Sequence, residues 1–201
     1  MLKIIAQPIG EGRERACYVH PEDPRLGIKI PSGKVTAQTR REIDFYCKLK
    51  KRGVLDNPHI PKYYGLCETS IGAGIVVQLI RNYDGEISRP LNWYLAQGVP
   101  VDEFHSYLEE LKESLLQDLI IFNHDMQTGN MLLHKTSMGS ARLVIIDGLG
   151  DTVALDWLDK IPFLVRRKIN RRWKRFIKRV NLSQEVRAQR AAEPTSKSQR
   201  S

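Results

Sequence analysis

The spacing of apolar residues changes several times along the chain, and each change marks a different element. Short apolar runs at residues 4–8 and 26–31 read as strands, the second ending in the turn residues Ser32 and Gly33. Between them, the segment IGEGRERACYVHPED places two close glycines before a further apolar stretch. Over residues 36–51 the spacing becomes helical, with Ile43, Tyr46, Cys47 and Leu49 as inward positions, and Gly53, Asn57 and Pro58 end the helix. Apolar runs at 62–69 and 74–80, joined by a segment containing Gly72, predict an antiparallel hairpin.

Beyond Arg81 the character shifts. Asn82 to Gly85 form a polar connector, and residues 91–97 predict a short helix. The strongest helical pattern covers 101–121, where Phe104, Tyr107, Leu108, Leu111, Leu115 and Leu119 recur at three- and four-residue spacing. A polar loop at 123–130 follows, then strands at 131–134 and 142–146 with a turn at 137–140, the segment DGLGD, and a basic helix at 161–180. From residue 183 the chain is polar, and 194–201 are expected to be disordered. Strands around one helix, then mainly helices with a small hairpin, predict an α+β fold of two lobes. Residues 1–181 form one domain in this reading, divided near residue 81, and 182–201 form a polar tail.

Hydrophobic residues make up 41% of the 201, enough for one sizeable core. The apolar run at 115–122 is too short for a bilayer and is interrupted by Gln117 and Asp118. The first residues show no signal-peptide pattern, so a cytoplasmic location is expected. Cys17, Cys47 and Cys67 lie far apart with no zinc spacing, which predicts buried, reduced thiols. The net charge of +9 is local: between Arg166 and Arg179 stand nine Lys/Arg and no Asp/Glu, so the rest of the chain is neutral. This segment also carries Ile169, Trp173, Phe176, Ile177 and Val180 at helical spacing. One reading is a helix docked by its apolar stripe with a solvated basic face. The other is a surface for an anionic membrane, peripheral to the inner membrane, or for an acidic partner. No further aromatic-basic platform supports nucleic acid.

Candidate chemistry then stands out by order and spacing. Phosphoryl transfer requires a triphosphate to be held, its charge neutralised and an acceptor placed in line. Gly10 and Gly12, after the first apolar run, form either a simple turn or a loop whose backbone N–H groups approach phosphate oxygens. Lys29, flanked by isoleucines, either reaches solvent along its stem or holds the α- and β-phosphates, and Glu42 on the following helix is placed to pair with it. In the loop NHDMQTGN, Asp125 is the candidate acceptor of a proton and Asn130 a candidate metal ligand. Asp147, after an apolar strand and before a glycine, is the second candidate metal ligand; its carboxylate and an amide oxygen suit Mg²⁺.

This set of glycine loop, strand lysine, helix glutamate, D-x-x-x-x-N and D-x-G resembles the protein-kinase superfamily. More narrowly, GEGRERACYVHPED, GIKI, HIPKYYG and RRWKRFI resemble the YrbL family of bacterial PhoP regulatory network proteins, over most of residues 10–177. The resemblance implies a small two-lobed protein-kinase-like fold with a truncated C-terminal lobe, and ATP with Mg²⁺ as cofactors. The chain departs from the kinase pattern at several points. Arg15 stands at the third glycine, Cys17 at a valine, Asn123 and His124 at the histidine and arginine of the catalytic triplet, and Gly148-Leu149 after the metal aspartate. Arg15 is a candidate for direct phosphate contact. Three functions compete: a phosphotransferase of undetermined acceptor, a regulatory module that holds nucleotide without turnover, and an adaptor acting through the basic helix.

Overall fold

The computed structural model describes residues 1–12, 14–33, 37–150 and 161–192, with side chains described except at 37–38 and 187–192. The N-terminal lobe is built on five antiparallel strands: β1 (Gly10–Glu11), β2 (Arg15–Val19), β3 (Leu26–Pro31), β4 (Tyr63–Thr69) and β5 (Gly72–Gln78), in the spatial order β1-β2-β3-β5-β4. The central strand β3 is buried from Gly27 to Pro31, flanked by β2 and β5, and its Lys29 meets Glu42 of helix α1 (Ala37–Arg52). That helix turns Glu42, Phe45, Tyr46 and Leu49 inward, positions at i, i+3, i+4 and i+7 that share one face. Cys47 lies off this face and is exposed, contrary to the sequence expectation, while Phe45 is buried in its stead. Cys17 and Cys67 are half-buried, so none of the three free thiols is fully enclosed.

The apolar run at 4–8 forms no strand. Leu2 alone makes a parallel bridge with Thr69, Ile5 is exposed, and Pro8 has no N–H to offer a ladder. The hairpin expected around Gly72 is present as β4–β5, with Gly72 in the left-handed region at φ 132°. Gly74 is constrained by packing. A Cβ there would lie 2.5 Å from Ile28 Cγ2 and 3.2 Å from the Lys29 backbone oxygen. Gly74→Ala is therefore expected to destabilise the fold by about 1–3 kcal/mol through overpacking against β3. Thermal melting of the variant checks this, and an unchanged Tm would show that the sheet yields freely.

The C-terminal lobe contains α2 (Leu91–Ala96), a 3₁₀ turn at Val101–Phe104 leading into α3 (His105–Gln117), the hairpin β6 (Met131–Ser137)–β7 (Ser140–Ile145), and α4 (Pro162–Ala192). The helical pattern over 101–121 stops short: α3 ends at Gln117 and the chain reverses through Leu119 at φ 50°. That reversal lets Ile120, Ile121 and Phe122 enter the core as an extended segment. Helix α4 runs to Ala192, past the residue at which a polar tail is expected, and Gln184 is tied to the α2–α3 connection through the Val101 N–H and Val99 C=O. Residues 194–201, expected to be disordered, lie outside the described residues.

One apolar cluster joins the lobes, running from Phe45, Tyr46 and Leu49 through Leu111, Leu115 and Leu143 to Val165, Ile169, Trp173, Phe176 and Val180. Polar stitches cross the same boundary. Asn57 donates to Ser114 Oγ at 2.8 Å and Asp118 Oδ2 at 2.7 Å, and the buried His59 ring contacts the Leu143 carbonyl at 2.7 Å. Asn57 and His59, the first residue of HIPKYYG, thus clamp the α1–β4 connection onto α3 and β7. The stripe of α4 is thus docked inside the domain. Trp173 and Phe176 belong to the core, while Arg166, Arg167, Arg171, Lys174, Arg175 and Lys178 remain exposed. No described helix is long and apolar enough to cross a membrane.

Candidate functional site

The candidate residues converge where β2, β3 and α1 of the first lobe meet the chain after β7. Gly10 and Gly12 belong to a tight β1–β2 hairpin in which Gly10 pairs with Cys17 and the Gly12 N–H donates to the Arg15 carbonyl at 2.8 Å. Both glycines are exposed, and Gly12 lines an open hollow of about 520 Å³ together with Arg15, Tyr18, Ile30 and Ile71. On the inward side, Lys29 Nζ donates to Glu42 Oε1 at 2.7 Å. The strand presents Lys29 opposite Ile28 and Ile30, and α1 brings Glu42 over it. Lys29 also reaches the second lobe, donating to the Ile146 carbonyl at 2.5 Å.

Asp147 follows that carbonyl. Its Oδ1 accepts the Gly148 N–H at 2.6 Å, and Gly148 and Gly150 hold φ of 80° and 88°, the left-handed region where a side chain is strained. Asn130 ends a short 3₁₀ turn before β6, and its carbonyl accepts the Ile146 N–H at 2.9 Å. The Asn130 amide flanks the same segment: a Cβ on Gly148 would lie 3.6 Å from its Nδ2. Asp125 sits in an exposed turn of the loop after Phe122. That loop is bonded to the Asp147 segment, since the Asn123 N–H donates to the Gly148 carbonyl at 2.7 Å and the Gly150 N–H to the Ile121 carbonyl at 2.9 Å.

Arg15 meets two carboxylates. Its guanidinium is buried between the lobes, pairing with Glu42 Oε2 through one nitrogen and with Asp147 Oδ1 at 2.7 Å through another. Among the described residues, two cations and two carboxylates form a group of balanced charge across the cleft. Burial pulls the Arg15 guanidinium down, but Glu42 and Asp147 outweigh it and hold its pKa above the ordinary value. Burial pushes the neighbouring Cys17 thiol up, against the opposing pull of Lys29 and Arg15. Tyr46, stacked on Tyr63 at 4.8 Å, is held well above its ordinary value by burial and by the Glu42 charge.

The donor set at Asp147 is partly occupied as it is arranged. Asn130 and Asp147 are neighbours, and their oxygens are of the type Mg²⁺ prefers. Yet Asp147 Oδ1 is already engaged by a guanidinium and a backbone N–H. Among the described residues, no three His, Cys, Asp or Glu side chains gather as a metal cluster.

The model of the family described as PhoP regulatory network protein YrbL matches residues 4–181. The chain belongs to the YrbL family. YrbL of Escherichia coli (strain K12) is 33% identical to it over 184 residues, covering 88% of this chain and 87% of that protein, and YrbL of Shigella flexneri matches to the same extent. Among solved structures, the PknI kinase domain of Mycobacterium tuberculosis resembles it with a TM-score of 0.50 at 18% identity, covering 72% of this chain and 59% of that one. A doubly substituted form of PknI gives 0.51 at 16% identity, covering 72% and 57%. This YrbL-family chain thus has a protein-kinase-like α/β fold and spans less than two thirds of those kinase domains.

Two residues of this YrbL-family site do not stand out in the sequence. Arg172, buried on α4, donates to the Phe122 carbonyl, and Arg179 donates to the carbonyls of His124 and Met126 at 3.1 and 3.0 Å. The truncated lobe holds the Asp125 loop by its backbone from a helix. Arg172 is legible in principle, because it shares the face of Ile169, Trp173 and Phe176 at three- and four-residue spacing.

Proposed function

We propose that this YrbL-family protein binds ATP between its lobes and transfers the terminal phosphoryl group to an acceptor hydroxyl. The observation that carries this reading is the Lys29–Glu42 ion pair, formed between a central strand and its covering helix and extended by Lys29 to the residue before Asp147. A buried lysine fixed by a carboxylate is oriented for phosphate oxygens, and Gly10 pairs with Cys17, the residue opposite Lys29 on the next strand. In the step itself, the acceptor oxygen bonds to the γ-phosphorus, the bond from that phosphorus to the β–γ bridging oxygen breaks, and ADP leaves. The exposed Asp125 carboxylate takes the acceptor's proton.

Purified protein titrated with ATP should be stabilised by about 2.7 kcal/mol when free ATP is a hundred times Kd. Asp125→Asn is expected to keep that stabilisation and to lose about 10²-fold in turnover, measured as ADP release or labelled product. Absence of stabilisation by any nucleoside triphosphate overturns the reading. Stabilisation without turnover in the parent protein favours a second reading, a regulatory module that holds nucleotide. The engagement of Asp147 by Arg15 supports that alternative.

A further inference from the structure

We infer that Arg15 is the resident cation of this cleft: it holds the position at Asp147 for which a divalent metal would compete, and it makes triphosphate binding independent of that metal. The inference rests on the proposed nucleotide site and specifies its cation. Its basis is geometric. Arg15 leaves β2 where the kinase-like pattern has a glycine, and its side chain spans 27 residues of sequence to Glu42 and 132 to Asp147, closing the cleft from above to below. It is 8% exposed, so this is an enclosed contact and not a surface pair. Together with Lys29, it balances the two carboxylates it touches.

The charges have two consequences. A divalent ion on Asp147 would stand beside a fixed guanidinium, and its double charge doubles the repulsion felt by a single one at the same distance. Arg15 therefore competes with a metal ion for Asp147. A triphosphate meets the opposite situation. A guanidinium carries five N–H donors in a planar fork that matches phosphate oxygens, more than its two carboxylate contacts consume. Lys29 and Arg15 together present two fixed positive charges to the phosphates while Glu42 and Asp147 hold them in place. Arg15 thus bridges carboxylate and phosphate as a metal ion does elsewhere, but it belongs to the chain.

The test uses the full-length protein and its Arg15→Gly and Arg15→Lys variants, with ATP binding measured by calorimetry in EDTA and in Mg²⁺, and Mn²⁺ binding measured without nucleotide by electron paramagnetic resonance. The parent protein is expected to bind ATP with an affinity that changes less than about threefold between EDTA and Mg²⁺. Arg15→Gly should lose at least about tenfold in EDTA, recover in Mg²⁺, and bind Mn²⁺ at least about fivefold more tightly than the parent. Arg15→Lys keeps a charge and should remain metal-independent. A parent protein that needs Mg²⁺ for ATP, or that binds Mn²⁺ as well as Arg15→Gly does, overturns the inference. If no form binds ATP, the nucleotide reading fails, and the Mn²⁺ comparison still decides whether Arg15 holds the cation position. If Arg15→Gly does not fold, the metal dependence of the parent and of Arg15→Lys decides between the two outcomes.

Discussion

Glu42→Ala is expected to destabilise the protein by roughly 3–5 kcal/mol, the range for removing one partner of a buried ion pair. The reason lies in what the substitution leaves behind. Glu42 offers one oxygen to Lys29 and the other to Arg15, and all three side chains are enclosed. Without the carboxylate, two cations share a desolvated space, and Asp147 remains as the carboxylate paired with Arg15. For a chain of this size the loss corresponds to a Tm lower by roughly 10 °C, read by calorimetry or circular dichroism. Glu42→Gln keeps the shape and one acceptor, so its loss should be smaller. Adding Arg15→Leu to Glu42→Ala removes the second cation, and part of the stability is expected to return, a coupling of more than about 1 kcal/mol between contacting sites. A Glu42→Ala protein that melts with the parent would show that the carboxylate contributes nothing to holding the lobes.

Trp173→Ala should produce a loss of comparable size, about 3–5 kcal/mol, through the cavity left in the core. Trp173 is 3% exposed and packs edge-on against Phe122, with ring centroids 6.1 Å apart, and against Phe176 at 5.5 Å. It joins α4 to the segment that leads into the Asp125 loop. Arg172 and Arg179 on the same helix hold that loop's carbonyls, so loosening α4 releases the loop as well. Denaturant unfolding gives the stability change. Trp173→Phe keeps part of the packing: the buried indole N–H has no hydrogen-bond partner among the described residues, so its removal strands no partner, and this variant should lose less than Trp173→Ala does. Leu182→Ala on the exposed side of α4 serves as the control and is expected to stay within about 0.5 kcal/mol. If Trp173→Ala matched that control, the docking of α4 would not stabilise the domain.

Periodicity reads well where one element buries one face. The hairpins β4–β5 and β6–β7, and the residues Ile169, Trp173, Phe176 and Val180 of the basic helix, follow from spacing because alternation or a three-to-four repeat is enough to specify a buried side, while Ile177 of the same stripe is only half-buried. It reads poorly where tertiary contacts override it. The helical pattern over 101–121 continues past Gln117, yet burying Ile120 to Phe122 as extended chain beside Leu149 ends the helix. The run at 4–8 is apolar, but no sheet edge pairs with it beyond Leu2. The face of α1 turned on a single position, Phe45 against Cys47, which lies near the limit of what spacing resolves.

The candidate site divides in the same way. Lys29 and Glu42 lie thirteen residues apart, on a strand and the next helix, so local order already places them as potential partners. Asp125, Asn130 and Asp147 are bound to one loop-and-hairpin unit whose turns are written in Asn, Asp and Gly. By itself the sequence determined the residue types, the elements carrying them and their order along the chain. Only the tertiary structure decided where Arg15 points. Its partners are Glu42 on α1 and Asp147 in the other lobe, and no spacing rule reaches across 132 residues. A long, flexible side chain takes whatever opposite charge the folded cleft encloses with it, because a buried guanidinium left without a carboxylate would be too costly to keep.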